Sequence, residues 1–483
     1  MEFLTLSTGL LLPWLAGTVW LMATEARFNR WARPNRLRQA GYGFFLGYAA
    51  LSLSVLACNA LFGQVSWLSI TALLAIVAAC GAVALWAGTK PANPDAVTQA
   101  PLGLAGKVLL VILAVWTGLH FFFAASEVFN QPLYPWDAWL AWVYRAKAWY
   151  LAGGMVDVVS PAQWATATSA DVYTIHAWTY PRFPSVVPYW AALSLGRWSE
   201  TLVNLPALLA GGAIGLALYG QGRESGMNPL LGLAACYLLF SVPLFGTHIA
   251  LAGYADLWMA GFAGLGFIAL LRGALCGQHF QTLLGFLMIA LAIGVKNEGA
   301  VWFLAALLMQ ALITFRWRTL AIAGFVLATA VWIGHAAFGI SHLQVPLMGT
   351  LGVVNNRLEI PFIGSFALEV HNVWRVYLDN FLLMGSWNLL WLLVAASLLI
   401  AVLGKEPPAS PARRAGVAFI LVFLATQLFI FGFTDQGVWA DTYTAINRLP
   451  LHFAPALIFT AFIIIHERMK RMGMVAPREH RRA

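Results

Sequence analysis

Apolar residues recur along this chain in runs of about 18 to 22, the helix length that crosses a hydrocarbon core about 30 Å thick. Short polar stretches separate the runs. They lack the alternation, about ten residues per segment, that marks the strands of a membrane barrel. The pattern therefore predicts an all-α polytopic membrane protein with about thirteen transmembrane helices. The predicted spans include 4–23, 229–247, 280–295, 299–315, 383–403 and 450–466. Composition supports the same class, since 61% of the 483 residues are hydrophobic and 10% charged, too few charges to coat a water-soluble surface.

Polar punctuation then divides the chain. A linker at Lys90–Gly106, containing PANPDAVTQAP, separates a three-helix membrane extension (1–106) from a core (107–340) that carries a large loop at 127–199. The remainder (341–483) holds a second long loop, three helices and a basic tail. Arg27, Arg30, Arg33, Arg36 and Arg38 follow the first span and place its C-terminal end in the cytoplasm. Alternation then puts most Lys and Arg inside and the long, aromatic loops outside, with short interfacial helices expected in those loops. The localisation expected is a bacterial inner membrane, multi-pass, with chemistry on the periplasmic or exterior side. The net charge of +9 arises from this inner-face bias and implies no nucleic-acid partner. Four cysteines, all in or near spans, offer no disulfide framework, and the histidines form no HExxH pair, so no metal ligands are assigned.

Candidate chemistry gathers on the outer side. In YPWDAWLAWVYRAKAWY (Tyr134–Tyr150), Pro135 suits a first helical position and Asp137 the first turn, where the helix dipole favours its charge. On one continuous helix at about 100° per residue, Ala141, Tyr144 and Ala148 share the Asp137 meridian, with Arg145 and Lys147 to either side to hold an anion. Trp136 and Trp139 suit either stacking on a sugar ring or anchoring in the interfacial belt. Further on, HAWTYPRFPSVVPYW introduces three prolines, GYAD brings Asp256 as a helix N-cap or site acid, and VKNEG breaks a hydrophobic stretch with Lys296 and Glu298 at the turn. Arg448 precedes the last span in TAINRLPLHFAP.

An early loop acid, a YPxxP segment, GYAD, KNEG and a late NRLxLH segment, in that order, resemble the bacterial protein-mannosyltransferase-like membrane glycosyltransferases of the C-type (GT-C) fold. The likeness covers about residues 107–470. It implies transfer of a sugar from a polyprenyl-phosphate-linked donor to a glycan, lipid or protein acceptor on the extracytoplasmic face, with inversion. In that likeness Asp137 is the general base, Asp256 shapes the acceptor region, and Lys296 and Arg448 hold the donor phosphate. The lone Asp137 departs from the family's adjacent acidic pair, and no cofactor or divalent metal is assigned. Three other readings remain: a lipid-linked glycan flippase or transporter, an oligosaccharide polymerase or ligase, and a non-catalytic assembly subunit. Charges at mid-span would favour a transporter; here they cluster at helix ends.

Overall fold

The computed structural model describes residues 2–28, 35–88, 102–169, 172–339, 341–345, 349–361, 364–403 and 411–473. Arg30, Arg33, most of the 90–106 linker and the end of the basic tail lie outside the described residues. Among those described, nine helices are long and apolar enough to cross a membrane, or ten if one bent pair is a single span. The chain is a multi-pass helical membrane protein.

Burial ranks the helices. Asp256–Cys276 and Leu449–Arg471 lie at the centre, with 83% and 89% of their apolar windows buried, whereas Leu104–Asn130 and Trp317–Ala337 bury none. A helix that is apolar all round and little covered by its neighbours turns its remaining faces to lipid. The central helix makes one wide turn at Ala260–Gly264, a few residues beyond Asp256.

The spans depart from expectation where backbone chemistry intervenes. The predicted span 229–247 is broken into Pro229–Ser241 and Pro243–Ala250, bent by 69°. Pro243 lacks an amide hydrogen and its ring crowds the preceding turn, so the helix cannot run on. The segments at 280–295 and 299–315 form His279–Ala292 and Glu298–Thr314, of 14 and 17 residues. At about 1.5 Å rise per residue, the first falls short of a straight crossing. The predicted 383–403 span shrinks to Leu390–Leu403.

The second long loop corrects the expectation of short helices alone. It folds as a four-stranded antiparallel meander, His342–Val345, Gly349–Val354, Arg357–Ile360 and Gly364–Ala367. Asn355 and Asn356 both take positive φ, 50° and 60°, in the two-residue turn between the middle strands. A tight hairpin wants that conformation, and asparagine tolerates it better than most residues. The Asn355-Asn356 pair, followed by the alternating Arg357-Leu358-Glu359-Ile360, is the sequence signal of this hairpin.

The boundary drawn at the linker is one of sequence and not of packing. The second helix (Arg36–Phe62) sends Phe44 and Phe45 against Trp258 of the central helix, and Tyr42 donates to the Leu265 carbonyl at 2.7 Å. At the opposite end from the long loops, Arg38 is wholly buried, bonded to Glu25 and, at 2.8 Å, to Glu224, while Arg272 reaches Glu224 at 3.5 Å. Helices from both sides of the linker thus share one buried ion network. Arg38→Ala strands Glu25 without a counter-charge and is expected to cost about 3–5 kcal/mol, read as a lowered melting temperature of the detergent-solubilised chain.

Candidate functional site

The first loop begins with a helix of a single turn, Trp136–Leu140, whose N-cap is Pro135. At Ala141 the backbone breaks (φ −140°, ψ −87°), and a second helix starts at Trp142. Gly253 of the GYAD segment, at φ +111°, lies so near this short helix that an added Cβ would sit 2.6 Å from the Ala138 Cβ. Glycine and alanine together let the two loops meet. Their meeting brings Asp137 towards the start of the central helix.

There Asp256 occupies the first turn, but it does not cap the helix. Ala255 is the cap, without a side-chain bond, and the wholly buried Asp256 carboxylate serves three distant partners instead. Lys296 Nζ lies 3.1 Å from Oδ1, His452 Nε2 2.9 Å from Oδ1, and Arg448 Nε 3.0 Å from Oδ2. A buried carboxylate is costly by several kcal/mol unless its charge and lone pairs are matched, and here they are. The Trp302 indole N–H donates to His452 Nδ1 at 3.0 Å. Since that nitrogen must accept, the His452 proton sits on Nε2 and points at Asp256.

Arg448 joins the two acids. Its Nη2 donates to Asp256 Oδ2 and to Asp137 Oδ2, each at 2.5 Å, across a sequence separation of 311 residues in the second case. The guanidinium also lies 4.8 Å from the ring centre of Tyr254, which packs on His248 at 4.7 Å. Burial opposes the Arg448 charge, yet Asp256 and Asp137 outweigh it and hold the group above the usual arginine value. Lys296 follows the same logic. Burial opposes its charge, and Asp256 together with Glu298, 3.1 Å away, keeps the ammonium above the usual lysine value.

Lys296 owes its place to the break between two helices. An added Cβ on Gly299 would lie 2.4 Å from the Ala292 carbonyl oxygen, so only glycine lets the second helix begin against the end of the first. Beside this turn, the Glu298 carboxylate and burial push the Tyr180 phenol up to about 12. Tyr180 belongs to the YPxxP segment, which is how that motif enters the site.

Two predicted cations have other employment. Arg145 is buried and donates to the carbonyls of Ala177 (3.0 Å) and Tyr180 (3.3 Å); burial and nearby Arg182 lower it to about 10. Lys147 pairs with Glu200 at 2.5 Å, beside Trp198. The expectation that they flank Asp137 assumed one continuous helix, and the break at Ala141 removes that geometry. Trp136 and Trp139 are mostly exposed, and Trp139 donates to the Leu133 carbonyl at 2.6 Å. A cavity of about 370 Å³ lies against Ala138, Trp139, Lys147, Trp198 and Glu200.

The structure thus unites Asp137, Asp256, Lys296, Glu298 and Arg448, and adds Tyr180, His248, Tyr254, Trp302 and His452. The last of these stands four residues after Arg448 in NRLPLH, on the 3-10 turn Leu449–Phe453 that follows it; a lone histidine in an apolar run carries no motif that would mark it. Among the described residues no group of three or more His, Cys, Asp or Glu is placed to hold a metal ion. No family model matches the chain, and neither a curated protein nor a solved structure matches it.

Proposed function

We propose that this protein is a membrane glycosyltransferase that moves a sugar from a polyprenyl-phosphate donor to an acceptor hydroxyl, in a GT-C-like fold with its site on the extracytoplasmic side. The observation that carries the reading is the meeting of the partly exposed Asp137 with Arg448 on the loop face, backed by the buried Asp256–Lys296–His452 group. A lipid-anchored donor reaches such a site without leaving the bilayer. Asp137 takes the proton of the acceptor hydroxyl, and that oxygen attacks the anomeric carbon from the side opposite the phosphate, which inverts it. The bond from carbon to phosphate oxygen breaks, and its electron pair leaves with the phosphate. Arg448, with the more deeply buried Lys296 behind it, favours the charge that develops there.

Glu298 and Asp256 serve to hold the two cations in place. Arg145 and Lys147 drop out of the donor site, because their charges are engaged elsewhere. A transporter would be served by charge along its pathway; here the charged clusters stand at the two ends of the helices. The deciding measurement is mass spectrometry of lipid-linked sugars and envelope glycans from cells with and without the protein. Loss of the protein is expected to raise one monosaccharide-phosphate lipid and to deplete one glycan. Unchanged pools would remove the proposal.

A further inference from the structure

Arg448 has two carboxylate partners that are held very differently. Asp256 is wholly buried and tied also to Lys296 and His452, so it cannot turn away without breaking both bonds. Asp137 has a side chain 24% exposed, stands on a helix of one turn, and among the described residues has no hydrogen-bond partner for its carboxylate other than Arg448. The side chain of Arg448 is itself 23% exposed. The pairing sets a conflict: the Arg448 N–H given to Asp137 cannot at the same time bind phosphate, and the Asp137 oxygen that receives it has one lone pair fewer for a hydroxyl proton.

We propose that the Asp137–Arg448 pair is a built-in latch, in which Asp137 occupies the donor-phosphate position until the donor displaces it. The inference rests on the donor-phosphate reading above. A polyprenyl-phosphate sugar is a phosphodiester with one negative charge, so it replaces the carboxylate at Arg448 without a change in net charge. Guanidinium N–H groups bind carboxylate and phosphate oxygens alike, so the Nη2 N–H that reaches Asp137 serves either anion. Asp256 keeps Arg448 aimed throughout, through Nε and Nη2. One exchange therefore seats the leaving group and frees Asp137 from the guanidinium, so that its whole carboxylate faces the acceptor only when a donor is present. The donor therefore binds before the acceptor.

The latch has an unusual consequence: removing the base strengthens donor binding. The test is calorimetric titration of the full detergent-solubilised chain with geranyl methyl phosphate, a short isoprenoid phosphodiester, and with dimethyl phosphate, which lacks the lipid. Asp137→Asn is expected to bind the isoprenoid diester about tenfold more tightly than the parent, the scale of one charge-assisted hydrogen bond given up. The same ratio at weaker affinity is expected for dimethyl phosphate, since the exchange concerns the head group. In an Arg448→Lys background, which keeps a cation but loses the planar bridge, the gain is expected to fall to about twofold or less. Equal or weaker binding by Asp137→Asn, with the parent still binding, overturns the latch and leaves the donor reading standing. A tenfold gain that persists with Arg448→Lys also overturns it, because loss of any nearby negative charge would then explain the effect. A gain confined to the isoprenoid diester does the same. If no form binds either diester, the donor reading fails and the latch with it. Asp137→Ala replaces the Asn variant should that one not fold.

Discussion

Asp137→Asn is expected to slow sugar transfer by about 10²–10⁴-fold, the range a positioned general base contributes, while the chain still inserts and folds. The substitution keeps the size of the side chain and leaves an amide oxygen toward Arg448, an uncharged and weaker acceptor that phosphate displaces more readily. What it removes is the lone pair that takes the acceptor proton. The measurement is the rate of transfer from a lipid-phosphate sugar in proteoliposomes, alongside the melting temperature. A rate within about threefold of the parent, at equal protein folded, would mean that Asp137 is not the base, whatever the reaction; a threefold change is well under 1 kcal/mol of barrier. Because Asp137 sits at the edge of the cluster, partly exposed, its loss strands no buried charge among the described residues. Activity and stability therefore separate at this position.

They do not separate at Asp256. Asp256→Ala is expected to destabilise the chain by about 3–5 kcal/mol and to abolish transfer, since it removes the buried carboxylate that two cations and His452 share. Lys296 would retain Glu298 at 3.1 Å, but Arg448 would keep only Asp137, and His452 would point its proton at a cavity. Asp256→Asn tests the charge separately from the shape: the amide preserves volume and one acceptor, yet it places N–H donors near groups that are themselves donors. The measurement is thermal unfolding of each variant in one detergent, with transfer assayed below the transition. Should Asp256→Ala melt within a degree or two of the parent, the carboxylate would be dispensable to the fold and the account of a charge-matched buried hub would be wrong. The contrast between the two acids is the expected result: loss of the partly exposed acid lowers rate alone, and loss of the buried one lowers both rate and stability.

How much of this was legible in the chain differs from element to element. The apolar runs and the linker at 90–106 mark a multi-pass helical protein directly, because length and apolar composition are local properties that hydrocarbon selects. Pro243 was equally visible, and its effect on 229–247 could have been read from the missing amide hydrogen alone. The hairpin at Asn355-Asn356 was written in the residues too, but alternation over a few positions competes poorly with helical expectation in a membrane chain. GYAD, KNEG and NRLPLH stood out because charge is rare in such a composition, and each carries a glycine or proline at or just before the start of a helix.

Their relation was not legible. The helical wheel set Arg145 and Lys147 beside Asp137, and a single backbone break at Ala141 undid it, since rotation about one residue moves everything after it. Asp256 had the right position for a capping residue and spends its oxygens on Lys296, Arg448 and His452 instead, a choice made by groups 40, 192 and 196 residues away.

Sequence by itself determined that this protein spans a membrane as helices, where its loops fall, and which few charged residues interrupt the apolar runs. Tertiary structure alone decided which of those charges meet: it joined Asp137 to Arg448, buried Asp256 between two cations, and built the first helices into the core. The physical reason is range. Hydrophobic transfer and backbone propensity act on each segment where it stands, whereas the pairing of buried charges depends on which helices pack together, and only the folded chain brings those helices side by side.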